Sequence, residues 1–156
     1  MSGPRRAVAA LPLVIRAPGV TPAGGIAEHP VSLIDLYPTL KDLCGLEGKT
    51  QKNDKGWPQL EGHSLRPFLT DPESRTWTGP DFVLSMITAQ GAANDPAKQH
   101  YSVRTERWRY IRYSNGAEEL YDHTNDPYEW TNLATVPEHA ATVAEMKRRL
   151  PECVPR

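Results

Sequence analysis

HYSVRTERWRYIRYSNGAEELYD, residues 100–122, decides how the second half of the chain folds. Polar and apolar residues alternate through it, which is the period of a half-buried strand rather than a helix. Thr105-Glu106-Arg107 breaks the alternation and predicts a tight turn. Asn115-Gly116 predicts a second, because both residues favour the positive φ of hairpin turns. Three antiparallel strands follow, with Trp108, Tyr110 and Arg112 on one face of the middle strand and Arg109, Ile111 and Tyr113 on the other. Arginines interleaved with aromatics could grip a nucleic acid or an acidic sugar. The stretch, however, carries four cations (Arg104, Arg107, Arg109, Arg112) and four anions (Glu106, Glu118, Glu119, Asp122). A surface that tracks phosphates does not set a carboxylate against each arginine, whereas cross-strand ion pairs do. The sequence therefore favours a structural sheet. A non-catalytic glycan- or protein-binding module using this hairpin is the alternative.

Working outward, DFVLSMIT (81–88) is a further strand, apolar enough to be central in the sheet. It is joined to residue 100 by the small-residue loop AQGAANDPAKQ. Downstream, PEHAATVAEMKRRL predicts an amphipathic helix with Ala140, Val143, Met146 and Leu150 on one stripe. Upstream the period is helical. VSLIDLYPTLKDLCGLEG has Ser32 and Asp35 in capping-box spacing, a Leu36/Leu40/Leu43 stripe and Gly45 as a stop. Pro38 requires an irregular first turn. Cys44 reads as a small core residue. HSLRPFL predicts a short helix entered through Ser64. Leu13–Arg16 reads as a buried strand in preference to part of a signal peptide, because Pro12 and Arg16 interrupt the apolar run. The chain thus divides near residue 78 into 1–78 and 79–156.

Composition narrows the class. The chain has 156 residues, with 18 Lys+Arg against 19 Asp+Glu and a net charge of −1. That balance argues against a free-standing nucleic-acid binder. No apolar run reaches the roughly 18–20 residues of a membrane helix. The 15 prolines are roughly double the usual share and predict many turns. Cys44 and Cys153 suggest neither a disulfide framework nor a zinc site, and the compartment is left open.

Catalytic signatures are scarce. The five histidines are scattered, and no glycine-rich phosphate loop or Gly-x-Ser-x-Gly elbow occurs. Asp122, Asp126 and Glu129 are close in sequence, but Asn125-Asp126-Pro127 is chiefly a turn signal. No catalytic and no metal-binding residue is assigned.

Five segments occur in order: LPLVIRAPGV, PVSLIDLYPTLKDLCGLEG, LEGHSLRPFL, SVRTERWRYIRY and EELYDHTNDPYEWTNLA. Together they resemble the C-terminal part of a type I sulfatase, most closely the iduronate-2-sulfatase branch, over residues 11–150. The resemblance implies an alkaline-phosphatase-like α/β fold. Residues 1–78 would end the large α/β domain, and 79–156 would form a small subdomain of four antiparallel strands and a C-terminal helix. It further implies a sulfuric ester hydrolase that acts on sulfated glycans through a formylglycine nucleophile and a bound calcium. Those groups belong upstream of LPLVIRAPGV in the family, so none is carried over to a residue here. Cys153-Val154-Pro155-Arg156 imitates the start of the family's Cys-x-Pro-Ser-Arg motif but lacks its serine. The chain reads as one part of a larger or split enzyme, inactive alone. Its partners would be a sulfated sugar and an N-terminal sulfatase part, with no nucleic acid and no membrane. In the intact enzyme the β-connection 89–100 would border the substrate, with Gln90, Asn94, Lys98 and His100 as candidate sugar-binding residues.

Overall fold

A computed structural model describes residues 12–46, 61–89, 91 and 95–154. They divide between Pro80 and Asp81 into two compact units.

In the 12–80 unit, Leu33–Asp35 form a 3-10 turn that runs into α1 (Leu36–Leu43), and α2 is Arg66–Thr70. The irregular entry accommodates Pro38 as expected. The Asp35 carboxylate accepts the Ser32 N–H at 2.9 Å and, from its other oxygen, the His63 N–H at 2.9 Å. Thr39 donates its hydroxyl to the Asp35 carbonyl at 2.6 Å and accepts the Leu65 N–H at 2.9 Å. Asp42 accepts from the Ser64 hydroxyl at 2.6 Å and from Arg66 Nη1 at 2.8 Å. Positions 35, 39 and 42 lie on one helical face, so α1 docks residues 63–66 through polar groups. This corrects the expected leucine stripe in part: Leu36 and Leu43 are half-buried, but Leu40 is exposed along with Leu33, Ile34 and Tyr37, and the fully buried positions are Asp35 and Thr39. Periodicity finds an apolar face but does not say whether anything within the chain covers it.

The close fit depends on Gly62. Its φ is +113°, and a Cβ there would lie 2.4 Å from the Ile34 carbonyl oxygen. Thr39→Val keeps the shape but removes both hydroxyl bonds. The Leu65 amide should then exchange with solvent at least about tenfold faster, the cost of stranding a buried donor. Unchanged exchange would show that the seam does not rest on Thr39.

Two further expectations fail here. Residues 13–16 form no strand and have no ladder partner among the described residues, and Val14 is 88% exposed. A parallel strand needs neighbours from other segments to satisfy its backbone. Cys44 is exposed rather than core, because it caps the uncovered end of α1.

The 81–154 unit is an antiparallel meander in the order β1 (Val83–Ile87), β2 (His100–Arg104), β3 (Trp108–Arg112), β4 (Glu118–Asp122). α3 (Ala140–Arg148) completes it. Tyr101, Val103, Tyr110 and Leu120 from the sheet form one core with Val143, Met146, Leu150 and Val154. Ala140, the first residue of the predicted stripe, is exposed. The turn after β3 uses positive φ only at Gly116, not at Asn115. The Asn115 side chain instead accepts the Ala117 N–H. β1 lies at the sheet edge, not in its centre, with Met86 56% and Ile87 68% exposed. A meander with sequential links places its first strand at the rim whatever its composition.

The segment after β4 is held by side chains acting as backbone. Asn132 accepts the Leu120 N–H at 3.0 Å and donates to the Glu118 carbonyl at 3.1 Å, so it extends the ladder beyond β4. Leu133 N–H then bonds the Leu120 carbonyl at 2.8 Å.

Candidate functional site

Of the four sugar-binding candidates, Gln90 and Asn94 lie outside the described residues. Lys98 ends a 3-10 turn, Pro96–Lys98, capped by Asp95. Its ammonium pairs with the Asp95 carboxylate at 3.0 Å while most of the side chain stays exposed. This pairing, ahead of any other favourable contact, holds the Asp95 carboxyl below its ordinary range. His100 opens β2. Its Nδ1 accepts the Ser114 N–H at 3.0 Å, and its ring stands edge-on to Tyr113. Between them Gln99, nearly fully buried, accepts the Ala89 N–H and donates to the Asp95 carbonyl. Tyr101 ties its hydroxyl to the Pro96 carbonyl at 2.7 Å. The described end of the loop is therefore fixed by its own hydrogen bonds, with Lys98 displayed at the surface.

The arginines follow the expected neutralisation only in part. Arg107 makes a two-pronged contact with Asp122, at 3.0 and 2.7 Å, and stacks over Trp108. Arg107 is the first cause that draws the Asp122 carboxyl down to about 2. Arg112 Nη1 donates to the Tyr113 carbonyl. Glu118 turns to Lys147 of α3 at 2.7 Å and accepts the Tyr110 hydroxyl at 3.1 Å. Arg109 pairs with Glu129, outside the quoted stretch, at 2.5 Å. Glu129 was missed as its partner because it is 20 residues away and reaches back through a loop.

The alternative of an exposed Trp108/Tyr110 gripping face is corrected. Tyr110 is fully buried, and Trp108 packs on the core with its ring edge-on to His139. That face of β3 is the one covered by α3.

The acidic residues near Asp126 do not suit a calcium. Asp122 is taken by Arg107, Asn125 and the Thr124 N–H. Burial raises the Asp126 carboxyl, but N–H groups of Trp130, Thr131, Tyr128 and Glu129 outweigh it and keep it below the ordinary value. Glu129 divides its oxygens between Arg109 and His123. Among the described residues no group of three His, Cys, Asp or Glu could hold a metal ion, and no helix is long and apolar enough to cross a membrane.

A four-stranded antiparallel meander backed by one C-terminal helix, following a helical α1–α2 segment, defines the C-terminal part of an alkaline-phosphatase-like sulfatase fold. A phosphonate monoester hydrolase from Silicibacter pomeroyi superposes with a TM-score of 0.63 at 28% identity, over 86% of this chain and 26% of that one. The chain belongs to the family described as N-sulphoglucosamine sulphohydrolase, C-terminal, whose profile matches residues 7–155. It is 33% identical to human Arylsulfatase K over 132 residues, which is 82% of this chain and 23% of the relative. A 2-O GAG sulfatase of known structure is 30% identical, with a TM-score of 0.54 over 73% of this chain and 22% of its own. The chain thus spans about a quarter of the length of the proteins it matches.

Proposed function

We propose that the chain is the C-terminal portion of a sulfuric ester hydrolase of the iduronate-2-sulfatase-like branch, acting on sulfated glycans in the intact enzyme. The observation that carries this reading is the family match across residues 7–155 together with the meander-and-helix architecture. The likeness to a 2-O GAG sulfatase supports the branch. The nucleophile, to be converted to formylglycine, and the calcium ligands belong to an N-terminal part that this chain would complement. The described residues offer no metal site, so no catalytic step is assigned to them. Alone, the chain does not turn over sulfate esters. The 89–100 connection, with Gln90, Asn94, Lys98 and His100, borders the sugar. Lys98 supplies a cation for a uronate or sulfate, and His100 a ring nitrogen for a hydroxyl.

The test grafts residues 12–154 onto the N-terminal part of a complete relative and replaces Lys98 and His100 by alanine. KM for a 2-O-sulfated uronate disaccharide should rise about tenfold, the worth of a charge-assisted hydrogen bond. Turnover of a small aryl sulfate should stay nearly unchanged. Equal KM values would remove the loop from the sugar site. Hydrolysis of a phosphonate monoester in preference to every sulfate ester would reassign the enzyme. Sulfatase activity that co-purifies with the isolated chain would overturn the reading of it as a complementing part.

A further inference from the structure

The sheet face opposite α3 breaks a pairing rule. β2 and β3 set Arg104 directly across from Arg109, both on that face. Like charges in cross-strand register oppose pairing. The nearby carboxylate of Glu129 goes to Arg109 and not to Arg104. Glu129 Oε2 accepts from Arg109 Nη1 at 2.5 Å, and Oε1 bonds His123 Nε2 at 2.8 Å. Arg109 Nε is used by the Ser102 hydroxyl at 3.2 Å. Arg104 uses Nη1 alone, on the carbonyls of Thr105 at 2.5 Å and Trp108 at 3.4 Å. Among the described residues no carboxylate lies within ion-pair distance of it. Burial pulls this guanidinium below its ordinary pKa, and Glu129 pulls in the opposite direction. A half-buried cation is therefore left with two free donor groups and a second cation beside it. A protein that meets a rule violation of this kind commonly does so at a binding site.

The loop that supplies Glu129 is built to display something else. Glu129 sits at φ 58°, the one positive φ at a non-glycine among the described residues. Its side chain turns inward, while Tyr128 and Trp130 on either side are each 74% exposed. Asp126 fixes the loop by collecting its N–H groups, including Thr131 at 2.8 Å. Two aromatic rings are thus held in water one residue away from the carboxylate that bridges to Arg109.

We propose that Arg104, beside Arg109, and the Tyr128/Trp130 loop form a binding surface for an acidic saccharide, the guanidinium taking a sulfate or carboxylate and the rings stacking on a sugar face. The charge deficit selects an oxyanion, which a neutral sugar lacks. The exposed rings add what an inorganic ion cannot use. The surface is distinct from the 89–100 connection, because Arg104 ends the strand that His100 begins, roughly 13 Å away.

The experiment titrates the full chain at low ionic strength with three probes: inorganic sulfate, acetate, and a sulfated uronate-containing tetrasaccharide. Amide shifts follow the ions, and calorimetry follows the saccharide. Arg104→Gln should weaken sulfate and tetrasaccharide binding at least about tenfold. Trp130→Ala should weaken the tetrasaccharide by a similar factor and leave inorganic sulfate unchanged. Acetate binding at the same amides would assign a general oxyanion pocket, whereas sulfate alone would assign the sulfate ester. Arg104→Lys, which keeps the charge and loses the fork, should fall between wild type and Gln. Urea midpoints of the variants are measured alongside, so that loss through unfolding is recognised. If the folded Gln and Lys variants bind as wild type does, or wild type binds none of the probes, the proposal fails.

Discussion

Glu129→Ala should lower the unfolding free energy of the 81–154 unit by about 3–5 kcal/mol, the usual cost of removing one partner from a buried ion pair. The Glu129 side chain is only 6% exposed, and its partners Arg109 and His123 are 18% and 13% exposed. Deleting the carboxylate leaves two nearly buried nitrogen groups without that acceptor and removes the counter-charge of Arg109, which faces Arg104 across the strands. Glu129→Gln keeps an acceptor and should cost less. Glu129→Gly loses the same carboxylate but relieves the positive φ, and should be about 1 kcal/mol less harmful than Ala. The check is urea unfolding of the three variants. A loss below about 1 kcal/mol for Ala would mean the pair does not hold the loop.

Tyr110→Ala should cost a similar amount, about 3–5 kcal/mol, by a different route. Tyr110 is fully buried at the centre of the sheet, across from Val103 on one side and Leu120 on the other. Truncation opens a cavity under α3. It also takes the hydroxyl from Glu118, which then depends on Lys147 alone. Tyr110→Phe keeps the ring and should cost only about 1 kcal/mol. Burial, then Glu118, raises the phenol pKa well above its ordinary value, so the hydroxyl remains a donor across the neutral range. If Phe is as damaging as Ala, the hydrogen bond rather than the packed ring carries the core.

The strands of the meander were legible because alternation survives wherever one face is buried and the other wet. Tyr101, Val103 and Tyr110 keep that period, whereas β4 departs from it, with Leu120, Tyr121 and Asp122 all buried. The C-terminal helix was legible for the same reason at its own period. What failed was the inference from apolar to covered. Leu40 of α1 and Met86 and Ile87 of β1 are apolar yet exposed, and pattern alone does not report whether a neighbour covers them. Charge counting found a neutral hairpin but not its wiring. Arg109 took a carboxylate from a loop beyond β4, and Glu118 took a lysine from α3. Of the candidate sugar site, the sequence supplied residue types suited to hydroxyls and carboxylates. It could not supply the Asp95 pairing or the Gln99 brace, which depend on a turn only three residues long.

The polar seam between α1 and residues 63–66 has a calorimetric consequence. Separating these segments wets Asp35, Thr39 and backbone amides together with the buried Leu65 side chain, while Leu33, Ile34, Tyr37 and Leu40 are already in water. Exposed apolar area raises heat capacity and exposed polar area lowers it. The polar groups offset part of the Leu65 contribution, so opening of the seam takes up less heat capacity than loss of a wholly apolar contact would. The core beneath α3 buries apolar groups instead, so its stability follows a more sharply curved dome. Cooling would loosen that core by a mechanism that the seam, with Leu65 as its buried apolar residue, feels less.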